Sequence, residues 1–375
     1  MEQKNIYLSL EIIQSIFEFL GFKNKIKFKL LCKNYYYGLR IYDFYNIPTK
    51  YKWELTDDIL KNHTYIKYLY IFHNEKITNL NHFSNLQILN AKGFSQIKDE
   101  NITNLNLIKL DVSDNSNITN INHMTNLRKL NASGKSGIND FGIKDLNLFK
   151  LDVLDNRNIT NVNHMTNLKI LNAGFFSGIK NKGIKNLNLT KLFMSGNYEI
   201  TKISHLTNLQ SLYISECLIN DNEIQHFNLT ELNISDNKNI KNVNHMTNLK
   251  YLNCSGYCGI NNEGIKDLNL IELDISFNIN ITKLNHMTNL QILKAFGCSC
   301  IINDGGINKL NLIELDVSDN PNIKNINHMT NLKKLSIMEN SGVDEDQIKN
   351  LNLIELNAYN NTKIKDNKYS PKIEN

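Results

Sequence analysis

Only three prolines and one tryptophan occur in 375 residues. So little proline, with an apolar fraction of 41%, argues against a disordered or collagen-like chain. No run of about 18 apolar residues exists, so no segment is expected to cross a membrane as a helix. The first residues, Met1-Glu2-Gln3-Lys4-Asn5, lead into a pattern broken by Ser, Glu and Gln, so no secretory leader is expected. The net charge is only +5. A nucleic-acid partner would call for a concentrated basic face, so none is expected. The six cysteines (Cys32, Cys217, Cys254, Cys258, Cys298, Cys300) are few and irregularly spaced. They read as free thiols in a reducing compartment. What the chain has in excess is asparagine, about one residue in six.

Much of that asparagine is periodic. Asn-His-Met-Thr-Asn-Leu occurs at 122–127, 163–168, 244–249, 285–290 and 327–332, with degenerate copies at 81–86 and 204–209. The spacing is 40 to 42 residues, and each unit splits into two halves that carry Leu-x-x-Leu-x-(Ala/Val/Ile). Fifteen starts follow at 20 to 22 residue intervals, from Ile66 and Leu86 through Leu107 and Leu127 to Leu353. Leu110 and Val112 alternate with Lys109 and Asp111, which predicts a short strand with one buried and one solvated face. A single coil of this length cannot enclose its own apolar side, but stacked coils can.

This pattern resembles the leucine-rich-repeat family over residues 66–361. The resemblance implies an α/β solenoid: a horseshoe of about fifteen short coils with a parallel sheet on its concave face, preceded by a small helical module. Counting the first Leu of a coil as position 1, position 9 is Asn in every odd coil: Asn74, Asn115, Asn156, Asn197, Asn237, Asn278, Asn320 and Asn361. A side-chain amide both donates and accepts, so these eight are read as a buried structural ladder between coils. Even coils carry a stretch such as Gly137–Leu148, read as a short return helix.

No phosphate-cradling glycine loop, nucleophile elbow or His-Glu zinc helix occurs. No catalytic residue, metal or cofactor is therefore expected. Seven of the ten histidines recur at one repeat position, two coils apart, or about 10 Å. That separation is too wide for one metal ion, and they are read as a surface or loop-capping ladder on the return side. The pairs Cys254/Cys258 and Cys298/Cys300 are read as core or ladder positions.

Binding is expected on the exposed strand residues. Position 3 is basic early, at Lys109, Lys129, Lys150 and Lys191, and acidic later, at Glu231, Glu272 and Glu314. Position 5 is mostly Asp or Asn, but Phe193 and Tyr213 break that rule in adjacent coils. Aromatics amid a polar surface are the composition of a binding hot spot. Phe193, Tyr213 and Lys191 are therefore the expected centre of a protein-binding face.

Residues 6–45 leave the repeat. Ile12, Ile13, Ile16, Phe17 and Leu20 fall at helical spacing, with Gly21 as the stop signal. A second apolar pattern runs from Ile26 through Leu30, Leu31, Cys32, Tyr35 and Tyr36 to Leu39. The spans 8–20 and 30–36 resemble an F-box, with Ser9 where the family has Pro and Tyr35 or Tyr36 in place of Trp. The organisation is then an F-box-like module at 1–47, a linker or cap at 48–65, the solenoid at 66–361 and a polar tail at 362–375. The resemblance implies a non-catalytic substrate receptor of a cullin ubiquitin ligase, docking a Skp-type adaptor through Leu8, Glu11, Ile12, Ile16, Leu30 and Cys32. The alternative is an interaction scaffold in which residues 1–47 only cap the first coil. Large arrays of similar proteins occur in amoebae and in giant viruses. A cytoplasmic location is expected, that of the host if the chain is viral, with the nucleus as the alternative.

Overall fold

The computed structural model describes residues 8–297 and 300–364. The chain divides into two compact units between Leu168 and Lys169. Among the described residues no helix is long and apolar enough to cross a membrane.

The first unit opens with three short helices: α1 (Leu10–Glu18), α2 (Phe22–Lys29) and α3 (Lys33–Gly38). Ser9 caps α1, its hydroxyl accepting the Ile12 N–H at 3.4 Å. The first turn is thus held without the family's Pro. Gly21 does not stop α1, which ends at Glu18; it sits instead at the N-cap of α2. The expected apolar face of α1 is also only partly used, because Phe17 is its one buried residue. The Phe17 ring meets Phe28 at 6.0 Å, and Phe28 stacks on Tyr35 at 5.2 Å.

Strand β1 (Asp43–Phe44) lies within the stretch read as the helical module and pairs in parallel with β2 (Tyr68–Tyr70). Ile41, Phe44 and Ile47 are buried around it. A two-residue strand carries no periodic signal, which is why the sheet begins one strand earlier than the repeat. The linker between them forms two single helical turns, α4 (Thr49–Lys52) and α5 (Asp57–Leu60).

The repeat then sets the register. In the first unit β3 (Ile88–Asn90), β4 (Lys109–Asp111), β5 (Lys129–Asn131) and β6 (Lys150–Asp152) add in parallel, with Leu110 opposite Leu130 and Leu130 opposite Leu151. In the second unit β7 (Ile170–Asn172), β8 (Lys191–Phe193), β9 (Ser211–Tyr213), β10 (Glu231–Asn233), β11 (Tyr251–Asn253) and β12 (Glu272–Asp274) pair in that order. They continue into β13 (Ile292–Lys294), β14 (Glu314–Asp316), β15 (Lys334–Ser336) and β16 (Glu355–Asn357). All fifteen repeat strands occupy positions 3 to 5 of the coils read from sequence. Leu107, Leu110 and Val112, at positions 1, 4 and 6, are fully buried, and their equivalents form the core of each unit except in the last coil, where Leu353 and Ala358 are half-buried.

Two backbone features recur. The eighth residue of all fifteen coils is left-handed, with φ between 49° and 104°, and only five of these residues are glycine. Even coils close with a single helical turn, for example 3-10 turns at Phe141–Ile143 and Asn181–Ile184. In the second unit others are α6 (Asp221–Ile224), α7 (Asp304–Ile307) and α8 (Glu345–Ile348). The return helix predicted from sequence is thus present, one turn long.

Candidate interaction surfaces

The eight asparagines at position 9 of the odd coils are all buried, from 0% exposed at Asn156, Asn278 and Asn320 to 5% at Asn361. Asn156 Nδ2 donates to the Ala132 carbonyl at 2.7 Å and the Ile138 carbonyl at 3.2 Å, while its Oδ1 accepts the Asn158 N–H at 2.8 Å. Asn115, Asn197, Asn278, Asn320 and Asn361 likewise donate to a carbonyl of the preceding coil. Asn237 reaches the Ile214 carbonyl at 3.4 Å, and Asn74 donates to Lys52 and Leu55 in the cap. Each amide therefore joins two coils, and none is available to a ligand.

The repeated histidines also have an internal partner. His123, His164, His205, His245, His286 and His328 each place Nε2 3.0 to 3.3 Å from the carbonyl of an Ile 21 residues earlier. That Ile ends the short helical turn of the preceding coil in five of the six cases. The ring supplies a donor to a carbonyl that the helical turn leaves open. His82 is exposed. Cys254, Cys258 and Cys300 are buried free thiols, and hydrogen bonding to Cys258 followed by burial pushes the Cys254 thiol up. Cys298 lies outside the described residues. Among the described residues no group of three or more His, Cys, Asp or Glu is placed to hold a metal ion.

Position 5 on the strands has a structural duty that the sequence reading missed. Asp111, Asn131, Asn233, Asn253, Asp274 and Asp316 each accept the backbone N–H two residues on. Asn90 does the same and is buried, not exposed as expected of this position. These side chains close the strand ends as Asx turns. Phe193 and Tyr213 forgo that bond, which makes the departure structural as well as compositional.

What replaces it is a connected cluster in the second unit. The Phe193 and Tyr213 rings stack at 4.5 Å and 21°. Both are half-buried, because each ring covers the other. Lys191 Nζ lies 5.5 Å from each ring centroid and 2.9 Å from Glu231 Oε2. Tyr213 donates its hydroxyl to the same oxygen at 2.8 Å. Hydrogen bonding from Lys191, with Tyr213 and Ser211 adding, holds the Glu231 carboxyl below the usual range against the effect of burial. Burial, then the hydrogen bond to Glu231 and its charge, push the Tyr213 phenol up to about 12. The expected exposed aromatics and free lysine are thus a locked platform with Glu231 as its hub. The sequence signal for that hub is a Lys and a Glu at the same coil position two coils apart.

Beside the platform is a cavity of about 390 Å³ lined by Tyr213, Glu231, Tyr251, Glu272, Asp274 and Lys294 among others. Lys294 Nζ pairs with Glu272 at 3.3 Å. Glu314 is half-buried on β14, and the structure does not bring it into the cluster. In the first unit Lys109 Nζ lies 5.9 Å from the Tyr45 ring, while Lys129 and Lys150 are exposed. These three basic residues hold the same position on β4, β5 and β6.

All six residues at the F-box-like positions are on the surface. Leu8, Ile12, Ile16 and Leu30 are 48%, 49%, 50% and 68% exposed, and Glu11 and Cys32 are exposed as well. None of them forms the core of the module, where Phe17 and Leu39 are fully buried and Phe28 and Tyr35 half-buried.

Stacked coils with three-residue parallel strands, a buried Leu at positions 1 and 4 and an asparagine ladder define the leucine-rich-repeat fold. No family model matches the sequence, and no curated protein does. Among solved structures the chain is similar to the TLR13–ssRNA13 complex, at 20% identity and a TM-score of 0.55, over 79% of this chain and 56% of that one. It is similar to the mouse RP105/MD-1 complex at 16% identity and a TM-score of 0.54, over 84% of this chain and 62% of that one. An internalin of Listeria monocytogenes, InlF, aligns at 20% identity over 78% of this chain and 81% of that one, with a TM-score of 0.42. The chain thus spans 56% and 62% of the first two, and the likeness is one of fold.

Proposed function

We propose that this chain is a non-catalytic adaptor that holds a protein target on the strand face of its second unit and a Skp-type adaptor of a cullin ubiquitin ligase on its N-terminal helices. One observation carries the ligase half. Four large apolar side chains at the F-box-like positions, Leu8, Ile12, Ile16 and Leu30, are about half exposed or more. Such side chains without a partner mark an interaction surface. Holding target and ligase on one chain raises the effective concentration of one for the other.

The platform of Lys191, Phe193, Tyr213 and Glu231 supports the target half. Its groups are already ordered, so a ligand need not offset the entropy of fixing them. The acidic turn of position 3 in this unit, at Glu231, Glu272 and Glu314, favours protein over a nucleic-acid backbone. Of the solved structures similar in fold, one is a complex with ssRNA13 and another a complex with MD-1.

A second reading, a scaffold without a ligase link, draws on β1. Leu39, Ile41, Phe44 and Ile47 are buried, and β1 extends the sheet, so the end of this segment caps the first coil. Deleting residues 1–47 would therefore strip a strand along with the docking helices. The better test is co-purification of a Skp-type adaptor with the full chain and with Ile16→Asp/Leu30→Asp. Capture by the native chain and loss in the variant are expected. No capture by the native chain would leave the scaffold reading.

A further inference from the structure

A cavity of about 1100 Å³ lies in the first unit, between α2 and α3 on one side and the β1–α5 segment on the other. None of the six F-box-like positions lines it. Its size is near the upper end for small-molecule sites, which are mostly apolar with a few placed polar groups. The walls include Phe22, Ile26, Phe44, Ile47, Leu55 and Ile59.

Its charged groups are one-sided. Lys23, Lys27, Lys29 and Arg40 line it, with the His63 imidazole beside them, against Glu54 as the one carboxylate in the lining. Three of these basic groups are tied together. Lys29 Nζ donates to the Leu39 carbonyl, next in the chain to Arg40. The Arg40 guanidinium lies 5.2 Å from the Tyr65 ring, and the Tyr65 hydroxyl is 2.7 Å from His63 Nδ1. His63 in turn packs on Phe44, with ring centroids 5.4 Å apart. Among the described residues none of the three forms an ion pair with a carboxylate. Burial depresses the Lys29 ammonium, and burial followed by the charge of Lys29 depresses His63. The charges of Lys29 and Arg40 thus lie beside an apolar wall without an ion-pair partner, and the His63 ring adds a polar group next to them.

We infer that this cavity binds a small amphipathic anion, an alkyl chain ending in a carboxylate or phosphate, with the chain against Phe22, Ile47 and Ile59 and the head on Lys29, Arg40 and His63. An apolar ligand alone would leave the basic cluster unpaired, and a bare anion would leave the wall wet. A bidentate guanidinium suits either head group.

The test uses the full chain and a fluorescent long-chain carboxylate, displaced in turn by dodecanoate, dodecyl phosphate, dodecanol and inorganic phosphate, all below micelle-forming concentrations. Both dodecyl anions should displace the probe, and the tighter of the two names the head group. Dodecanol should be weaker by about tenfold or more, and inorganic phosphate should not compete. Arg40→Glu and Ile59→Asp, both at exposed positions, should each weaken the anions by about tenfold with an unchanged melting temperature. Equal binding of dodecanol, or native affinity in either variant, overturns the inference. So does self-association of the chain that shuts the probe out of the groove.

Discussion

Asp114 Oδ1 occupies the space that a Cβ on Gly134 would need. The two residues hold the same left-handed position in successive coils, at φ 57° and 65°. Asp114 Oδ1 also accepts the Lys135 N–H at 3.1 Å, so it closes the turn that Gly134 begins. A side chain at Gly134 therefore meets both a disfavoured backbone region and an occupied site. Left-handed backbone costs a non-glycine residue about 1–2 kcal/mol. Gly134→Ala is expected to lower stability by about 2 kcal/mol, read by urea denaturation. Glu216 shares the conformation at φ 55° and is exposed. Glu216→Gly is expected to leave stability unchanged or raise it by up to about 1 kcal/mol. A loss at Glu216→Gly as large as at Gly134→Ala would show that backbone strain does not set the cost.

Asn156 offers a sharper test of the ladder. Its amide serves two carbonyls and two N–H groups, of Asn158 and Ile159, in a buried site. Each buried polar group left unmatched costs about 1–3 kcal/mol. Asn156→Ala is expected to destabilise by at least about 3 kcal/mol, and calorimetry of native and variant chains would measure it. A loss below about 1 kcal/mol would mean that water replaces the amide.

These two positions also mark what a sequence can carry. The fifteen strands were legible because leucine recurs where the coil turns inward and nothing else satisfies a dry core. The asparagines at position 9 were legible because few side chains both donate and accept. The left-handed position was not, since Gly, Asp, Glu, Phe, His and Asn all occupy it. Coil stacking imposes it even on His73, Phe175, Glu216, Phe277 and Glu339, whose types do not favour it. The Asx turns at position 5 were hidden for a different reason: an Asp that caps a strand and an Asp that faces a ligand are the same letter. Phe193 and Tyr213 stood out as interruptions of a pattern. The hub role of Glu231 did not, because it arises from β8, β9 and β10 lying side by side.

The Tyr213–Glu231 bond has a signature in alkali. A phenol whose folded pKa is about 12 lies above the ordinary value of 10.0. The unfolded chain therefore loses that proton first as pH rises. The stabilisation is complete below about pH 10 and is lost progressively as pH rises from about 10 to 12. An ultraviolet difference titration of the native chain against Tyr213→Phe should isolate one late tyrosinate. Glu231→Gln should bring it earlier, though not to the ordinary value, because burial is the larger cause. A late transition unchanged by Glu231→Gln would assign the shift to burial alone.

The platform should be stiff but not a major source of stability. Lys191 and Glu231 side chains are 29% and 32% exposed, so their pairing is only partly shielded from water and salt. A double-mutant cycle with Lys191→Ala and Glu231→Ala is expected to give a coupling of about 1 kcal/mol or less, shrinking in high salt. Phe193→Ala should cost about 1 kcal/mol of ring stacking beyond the area it uncovers. If the platform is the target site, Phe193→Ala/Tyr213→Ala should abolish target capture while the chain stays folded. Intact capture would move the site elsewhere on the strand face.

The N-terminal helices allow docking and folding to be separated by residue. Phe17 is fully buried, whereas its neighbour Ile16 is 50% exposed on the same helix. Replacing a buried phenylalanine by alanine costs about 3–5 kcal/mol, whereas exposed positions away from special features change stability by about 0.5 kcal/mol or less. Phe17→Ala should therefore melt the module, seen as lost helical ellipticity and faster proteolysis within residues 8–40. Ile16→Asp and Leu30→Asp should leave both measurements as in the native chain and remove adaptor capture. If Ile16→Asp also opened the module to protease, the exposed face would be part of its fold and not a docking surface. If both variants folded and still captured the adaptor, contact would have to run through other residues of the module, and the exposure of Leu8, Ile12, Ile16 and Leu30 would need another cause.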